Sequence, residues 1–170
     1  MPHNVLIEAE FLLRIILAAI FSAALGWERE KAGKPAGFRT HIVVGVTAAL
    51  FVITGILAVE QYGAATGVNV DPTRTIHAIA VGIGFLGAGL VVFSPKDERV
   101  KGLTTAASVW ATAAVGAASG YGLYLLASGT TIILLIVLNK MIHMDSSMDA
   151  IEEKRHTGEF QGPLVEDDEP

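Results

Sequence analysis

The stretch Thr40–Val59, which reads THIVVGVTAALFVITGILAV, decides the fold class because its 20 residues include no Asp, Glu, Lys or Arg. About 20 apolar residues in an α-helix cross the hydrocarbon core of a bilayer. Four further windows of similar length and apolar character flank it, namely Leu6–Gly26, Ile76–Phe93, Leu103–Ser119 and Leu123–Ile142. The sequence therefore predicts an all-α fold, an integral membrane helical bundle with about five transmembrane helices.

The composition supports this class and divides the chain in two. Of the 170 residues, 52% are hydrophobic and only 17% are charged, against about 25% charged in soluble domains. Nine of the 17 acidic residues lie in 143–170. We predict a transmembrane domain over 1–142 and an acidic cytoplasmic tail over 143–170, amphipathic first and then disordered. The chain has no cysteine, which excludes disulfides, thiol catalysis and cysteine-ligated metal sites.

Lysine and arginine indicate the orientation of the predicted bundle. If the five spans alternate, ten of the twelve basic residues fall on one side, in the first loop, the third loop and the segment after the last span. Arg74 falls on the opposite side, and Arg14 lies within the first span. Because cytoplasmic loops carry the excess of positive charge, we expect the N-terminus outside and the C-terminus in the cytoplasm.

The fourth window is the least apolar of the five. It is rich in alanine and carries several hydroxyl side chains, so we expect the other helices to enclose it. Thr104, Ser108 and Thr112 recur every four residues and share one helix face. They either line a polar path or, as small polar residues in membrane helices more often do, form interhelical contacts.

Charged residues lie at two places in the first span, within it and just after its end. Arg14 lies inside it, where a charge costs a few kcal/mol unless it faces the bundle interior or snorkels. Glu10, one turn earlier, is its expected partner, and a functional role and a structural ion pair are equally favoured. Glu28 follows the span, where an acid opposes the helix dipole. We therefore expect Glu28 and Glu30 to have cationic partners, with Arg29, Lys34 and Arg39 as candidates. An ordinary solvated charge cluster at the interface is the alternative.

The start of the third span carries Asp71, Pro72 and Arg74. Asp followed by Pro is typical of a helix start, so a helix cap is favoured over a cation ligand at Asp71. Inside the span, Gly82–Gly87 matches the dinucleotide-binding pattern G-x-G-x-x-G. That motif requires a preceding strand in a βαβ unit, so we reject this interpretation. Close helix packing is expected instead, with a broken helix lining a midplane site as the alternative. The glycines are Gly82, Gly84, Gly87 and Gly89.

Three blocks occur in a fixed order. The first joins Gly26–Glu30 (GWERE) to Ala36–His41 (AGFRTH), and the second joins Asp71–Arg74 (DPTR) to Gly82–Gly89 (GIGFLGAG). The third is Val100–Trp110 (VKGLTTAASVW). Together these blocks resemble the motifs of the MgtC/SapB family of bacterial inner-membrane proteins.

The resemblance implies function or essential architecture for ten polar positions. It suggests that Glu28 pairs with Arg39 at the cytoplasmic face and Asp71 with Arg74 at the outer face. It also supports a true fourth span, whereas the C-terminal soluble domain of longer members has no counterpart here. The ten positions are Glu28, Arg29, Arg39, Thr40, His41, Asp71, Arg74, Thr104, Thr105 and Ser108.

The function that the resemblance implies is adaptation to low magnesium in the bacterial plasma membrane. We expect a non-enzymatic protein that regulates other membrane proteins, without a cofactor and without nucleic acid. Its other expected partners are the lipid bilayer and, on the small-residue helix faces, a second copy in a homodimer. The alternative is a cation or small-solute carrier or channel that uses the third and fourth helices. Every acid lies at or beyond a helix end, which argues against that alternative.

Overall fold

The computed structural model describes residues 5–66, 71, 73–94 and 99–139. Within these residues the chain forms five helices and one short hairpin. The helices are α1 (Val5–Lys31), α2 (Phe38–Thr66), α3 (Thr73–Leu90), α4 (Leu103–Gly120) and α5 (Tyr124–Asn139). The strands β1 (Val92–Ser94) and β2 (Arg99–Lys101) pair antiparallel between α3 and α4. The predicted all-α bundle is confirmed, and the hairpin is an addition to it.

The central element is α4, which packs against α1, α2 and α3. Its alanine, glycine, serine and threonine side chains are small, so neighbouring backbones can approach closely. The expectation that the other helices enclose the fourth one is confirmed. The buried residues of α4 are Thr105, Ser108, Val109, Thr112, Ala113, Val115, Gly116, Ala117, Ser119 and Gly120.

The helices α1 to α4 alternate in direction. His41 near the start of α2 contacts Ser108 near the start of α4, so these two helices run the same way. Arg14 in the first half of α1 reaches the last residue of α4, so α1 runs the opposite way. We call the end that holds the α1–α2 loop (32–37) and the hairpin the basic end, since six of the eight lysines and arginines among the described residues lie there.

Two of the described helices are long and apolar enough to cross a membrane by themselves. They are Phe38–Tyr62 of α2, with a mean hydropathy of 2.7, and α3, with 1.3; α5 is a shorter apolar helix. Large apolar side chains cover the outside of the bundle, and Phe85 and Leu125 are 85% and 88% exposed. Such a surface suits a lipid solvent, in which helices satisfy their own backbone hydrogen bonds.

The chain separates into two compact units, Met1–Leu135 and Ile136–Pro170. The first contains α1 to α4 and most of α5. In the second, the structure describes only the last turn of α5. The predicted acidic tail, 143–170, lies outside the described residues.

Candidate functional site

A buried polar cluster occupies the basic end of the bundle. It consists of Glu28, Arg29, His41 and Ser108, and the side chains of Arg29 and His41 are 1% and 0% exposed. Arg29 Nε and Nη2 donate to Glu28 Oε2 and Oε1 at 2.5 and 2.6 Å. Two parallel bonds of this kind are among the strongest polar contacts in proteins. The cluster therefore holds a buried, fully formed arginine–carboxylate pair.

The partner of Glu28 is thus Arg29 and not Arg39. Residues His41, Val44 and Ala48 form the buried stripe of α2, which follows the helical period. Arg39 precedes His41 by two positions, so its side chain points away from this stripe and is exposed. The expected Glu28–Arg39 pair is therefore replaced by a pair of chain neighbours, and Arg39 and Thr40 lie on the surface above the cluster.

His41 connects the α1–α2 loop to α4. Its Nδ1 lies 2.9 Å from the carbonyl oxygen of Gly37, and its Nε2 lies 3.3 Å from Ser108 Oγ. A carbonyl only accepts, so Nδ1 must carry the proton. When His41 is neutral, its Nε2 accepts a hydrogen bond from the Ser108 hydroxyl. When His41 is protonated, Nε2 donates to Ser108 Oγ, and the hydroxyl donates instead to the carbonyl oxygen of Thr105, 2.8 Å away. Ser108 has a suitable partner in either state.

The first motif block fixes this arrangement through two further residues. A Cβ added to Gly26 would lie 2.8 Å from Phe38 Cα and 2.9 Å from His41 Cβ, so only glycine allows α1 and α2 to approach this closely. Glu30 Oε2 accepts a hydrogen bond from the backbone N–H of Phe38 at 2.8 Å and so caps the start of α2. The close approach at Gly26 was not predicted, and Glu30 caps α2 where a cationic partner was expected.

The hydroxyl face of α4 satisfies itself within the helix. Thr112 Oγ1 donates to the carbonyl oxygen of Ser108 at 2.8 Å, and Ser108 Oγ lies equally close to that of Thr105. Thr105 is buried and Thr104 is half-buried. Of the two interpretations of this face, interhelical contact matches the structure, since Thr105, Ser108 and Thr112 are buried and Ser108 also contacts His41 of α2.

Arg14 closes the opposite end of the bundle. Its Nη1 donates to the carbonyl oxygen of Gly120, the last residue of α4, at 3.0 Å, and its Nη2 bonds to Glu10. The expected pair with Glu10 and the inward orientation are both confirmed. A cation at a helix C-terminus interacts favourably with the helix dipole, so Arg14 stabilises the point where α4 turns into α5.

Replacing Arg14 by methionine should lower the free energy of unfolding by about 1–2 kcal/mol, because the last carbonyl of α4 loses a charged donor. Denaturant unfolding of the detergent-solubilised protein measures this change. The exposed substitution Arg39→Met is the control. Equal unfolding midpoints for the two variants would contradict the role of Arg14.

Asp71 caps α3. Its Oδ1 accepts from the backbone N–H and the hydroxyl of Thr73, at 2.9 and 2.7 Å. These two bonds hold the pKa of Asp71 below its ordinary value, and the positive charge of Arg74 adds a smaller effect in the same direction. The predicted cap is confirmed. The predicted pair with Arg74 is not, because the carboxylate of Asp71 bonds to Thr73. Arg74 itself is exposed.

The glycines of α3 differ in their surroundings. A Cβ added to Gly87 would lie 3.7 Å from Ala106 of α4, whereas the same addition at Gly82, Gly84 or Gly89 would meet nothing within 4 Å. Within the described part of this chain, only Gly87 of this group therefore packs against another helix.

A close backbone contact lies elsewhere, between α2 and α4. A Cβ on Gly116 would lie 2.7 Å from Gly45 Cα, and one on Gly120 would lie 2.7 Å from the carbonyl oxygen of Ala49. Sequence reasoning missed these residues. The signal that identifies them is the G-x-x-x-G spacing of Gly116 and Gly120, which is typical of close helix pairs in membranes.

The family model and the relatives that match this chain indicate the same family. The family model that matches this chain is described as the MgtC family and covers residues 15–146. No solved structure matches the chain.

Three curated relatives illustrate the range of similarity. A protein of Escherichia coli K12 named "Putative magnesium transporter YhiD" is 42% identical over 76% of this chain and 60% of its own length. Protein SrpB of Synechococcus elongatus is also 42% identical, over 74% of this chain and 71% of its own length. Protein MgtC of Salmonella typhimurium is 33% identical over 74% of this chain and 49% of its own length. The matched part of this chain therefore corresponds to between 49% and 71% of the length of these relatives.

Proposed function

Since this chain belongs to the MgtC family of membrane proteins, we propose that it acts in magnesium homeostasis without being an enzyme, by contacting and regulating other membrane proteins. The link to magnesium is supported by the name of the Escherichia coli relative, YhiD, which describes a magnesium transporter. We place the basic end in the cytoplasm, because positive loops favour that side. Labelling of a single cysteine at Lys34 from each side of the membrane tests this orientation.

The observation that carries the proposal is the contrast between the buried cluster and the surface above it. Glu28 and Arg29 bond to each other, and His41 bonds to Ser108 and to the loop backbone. Such a network orders its surroundings when its groups are satisfied. Arg39 and Thr40 are exposed at the start of α2, a position suited to contact with a partner.

We expect Arg39→Ala to abolish rescue of growth at low magnesium in a strain that lacks its own copy of the gene, with membrane abundance unchanged. The side chain is exposed, so its removal leaves the bundle intact while it removes a charge from the partner surface. The control is Glu60→Ala, which removes an exposed charge at the other end of α2. Full rescue by Arg39→Ala would contradict the proposed surface.

The alternative is a carrier or channel for a cation or small solute. It is favoured by the hydroxyl face of α4, although those hydroxyls bond within their own helix. Magnesium, proton and sodium flux into proteoliposomes, measured for the wild type and for Arg39→Ala, separates the two functions. Saturable flux that the variant loses would establish transport, whereas absence of flux from folded protein would support regulation.

A further inference from the structure

A groove runs along α3 on the side that faces α2. The two helices approach closely near its beginning, where a Cβ added to Gly55 would lie 2.7 Å from Thr75 Oγ1. The two helices line one open pocket of about 570 Å³ around this contact and another of about 270 Å³ farther along α3. Phe51, Ala78 and Ile79 line both cavities, so we treat them as one feature, the α2–α3 groove.

The α2–α3 groove has one polar end and one apolar end. At the start of α3 it is lined by Arg74, Thr75 and Thr54. Asp71, the acid nearest to Arg74 in the sequence, directs its Oδ1 to Thr73 instead. Beyond Ile79 the lining is apolar apart from one threonine. The lining residues of this deeper part are Val43, Val44, Thr47, Ala48, Phe51, Ala78, Ile79, Gly82 and Ile83.

The length of the groove corresponds to one leaflet of a bilayer. From Arg74 to Ile83, α3 rises by roughly 14 Å at about 1.5 Å per residue. The whole hydrocarbon core is about 30 Å thick. A transmembrane helix from another protein would need a contact surface as long as the full hydrocarbon core. An acyl chain of one leaflet needs only about half of that length. A cation at one end and an apolar channel behind it match an amphiphile with a phosphate head.

We propose that the α2–α3 groove binds one phospholipid, with its anionic phosphate at Arg74 and an acyl chain between Phe51 and Ile83. Arginine is well suited to phosphate because its planar guanidinium donates several hydrogen bonds. The bound lipid would fill the space between α2 and α3. This inference depends on the membrane location of the chain and not on its role in magnesium homeostasis.

Native mass spectrometry of the detergent-solubilised protein tests the site. The probes are phosphatidylglycerol and a diacylglycerol with the same acyl chains, which lacks the phosphate. We expect one phosphatidylglycerol per chain, and we expect Arg74→Gln to weaken its binding about tenfold, the factor that corresponds to about 1.4 kcal/mol, down to the level of diacylglycerol. Lys31→Gln, which removes an exposed cation at the basic end, should bind as the wild type does.

A second pair of variants tests the apolar part of the groove. Ala78→Phe fills the region that both cavities share and should abolish binding of both lipids. Val81→Phe adds a similar bulk to α3 at a position that is 74% exposed and outside the groove lining, and it should bind normally. If Ala78→Phe does not unfold cooperatively, Arg74→Gln decides the question, because its side chain is exposed.

Four results would overturn the proposal. Arg74→Gln could bind lipid as Lys31→Gln does, or a folded Ala78→Phe could bind as Val81→Phe does. Inorganic phosphate alone could displace the lipid, which would indicate a site for free phosphate. A single cysteine at Ala78, in a chain that has none of its own, could form disulfide-linked dimers in native membranes, which would indicate a second copy in the groove.

Discussion

Replacing Arg29 by methionine should lower the free energy of unfolding by about 3–5 kcal/mol, the usual effect of removing one partner of a buried ion pair. The carboxylate of Glu28, which now accepts two bonds from Arg29, would lose its charged donor in a place that water reaches poorly. Arg29 also lies in the last turn of α1, where a cation favours the helix. Denaturant unfolding in detergent, followed by circular dichroism, measures the change.

The exposed Arg39→Met is the matched control, because it removes the same charge from the same end of the bundle. Its unfolding free energy should stay within about 0.5 kcal/mol of the wild type, as is usual for surface substitutions. The double variant Glu28→Gln/Arg29→Met should recover part of the loss, since no unpaired charge remains. Equal destabilisation by Arg29→Met and Arg39→Met would show that the Glu28–Arg29 pair contributes nothing beyond surface charge.

The helices could be predicted from the sequence because a membrane span depends on the composition of a long window. The window Thr40–Val59 lies inside the observed α2, which extends from Phe38 to Thr66. The hairpin was not predicted, because strands of three residues, Val92–Ser94 and Arg99–Lys101, are too short to show a period. The ends of α2 extend into polar residues that hydropathy assigns to loops.

The candidate site was predicted less completely. The motif identified Glu28, Arg29 and His41 as a group, but a charge pattern does not tell which cation a carboxylate binds. That choice depends on the rotation of each helix, which turns His41 inward and Arg39 outward. The same dependence on helix rotation explains why the packing of the glycines was not predicted. Their spacing in the sequence does not show which of them contact the backbone of another helix.

Gly116→Ala should lower the stability of the bundle, whereas Gly84→Ala should leave it unchanged or raise it. At Gly116 the added methyl would meet the backbone of Gly45, with its Cα only 2.7 Å away. A backbone cannot rotate aside as a side chain does, so α2 and α4 must separate, at a cost of about 1–3 kcal/mol or more. At Gly84 nothing lies within 4 Å, and alanine favours a helix over glycine by about 1 kcal/mol.

Thermal unfolding of the three purified proteins in the same detergent measures both effects. We expect the midpoint of Gly116→Ala to fall by several degrees and that of Gly84→Ala to stay or rise. The order of the two unfolding midpoints is more informative than the size of either shift, because both substitutions add the same methyl group to a helical glycine in an apolar span. Greater destabilisation by Gly84→Ala would mean that the glycines of α3 pack against another molecule. The expected order would mean that the close contact of α2 with α4 stabilises the bundle.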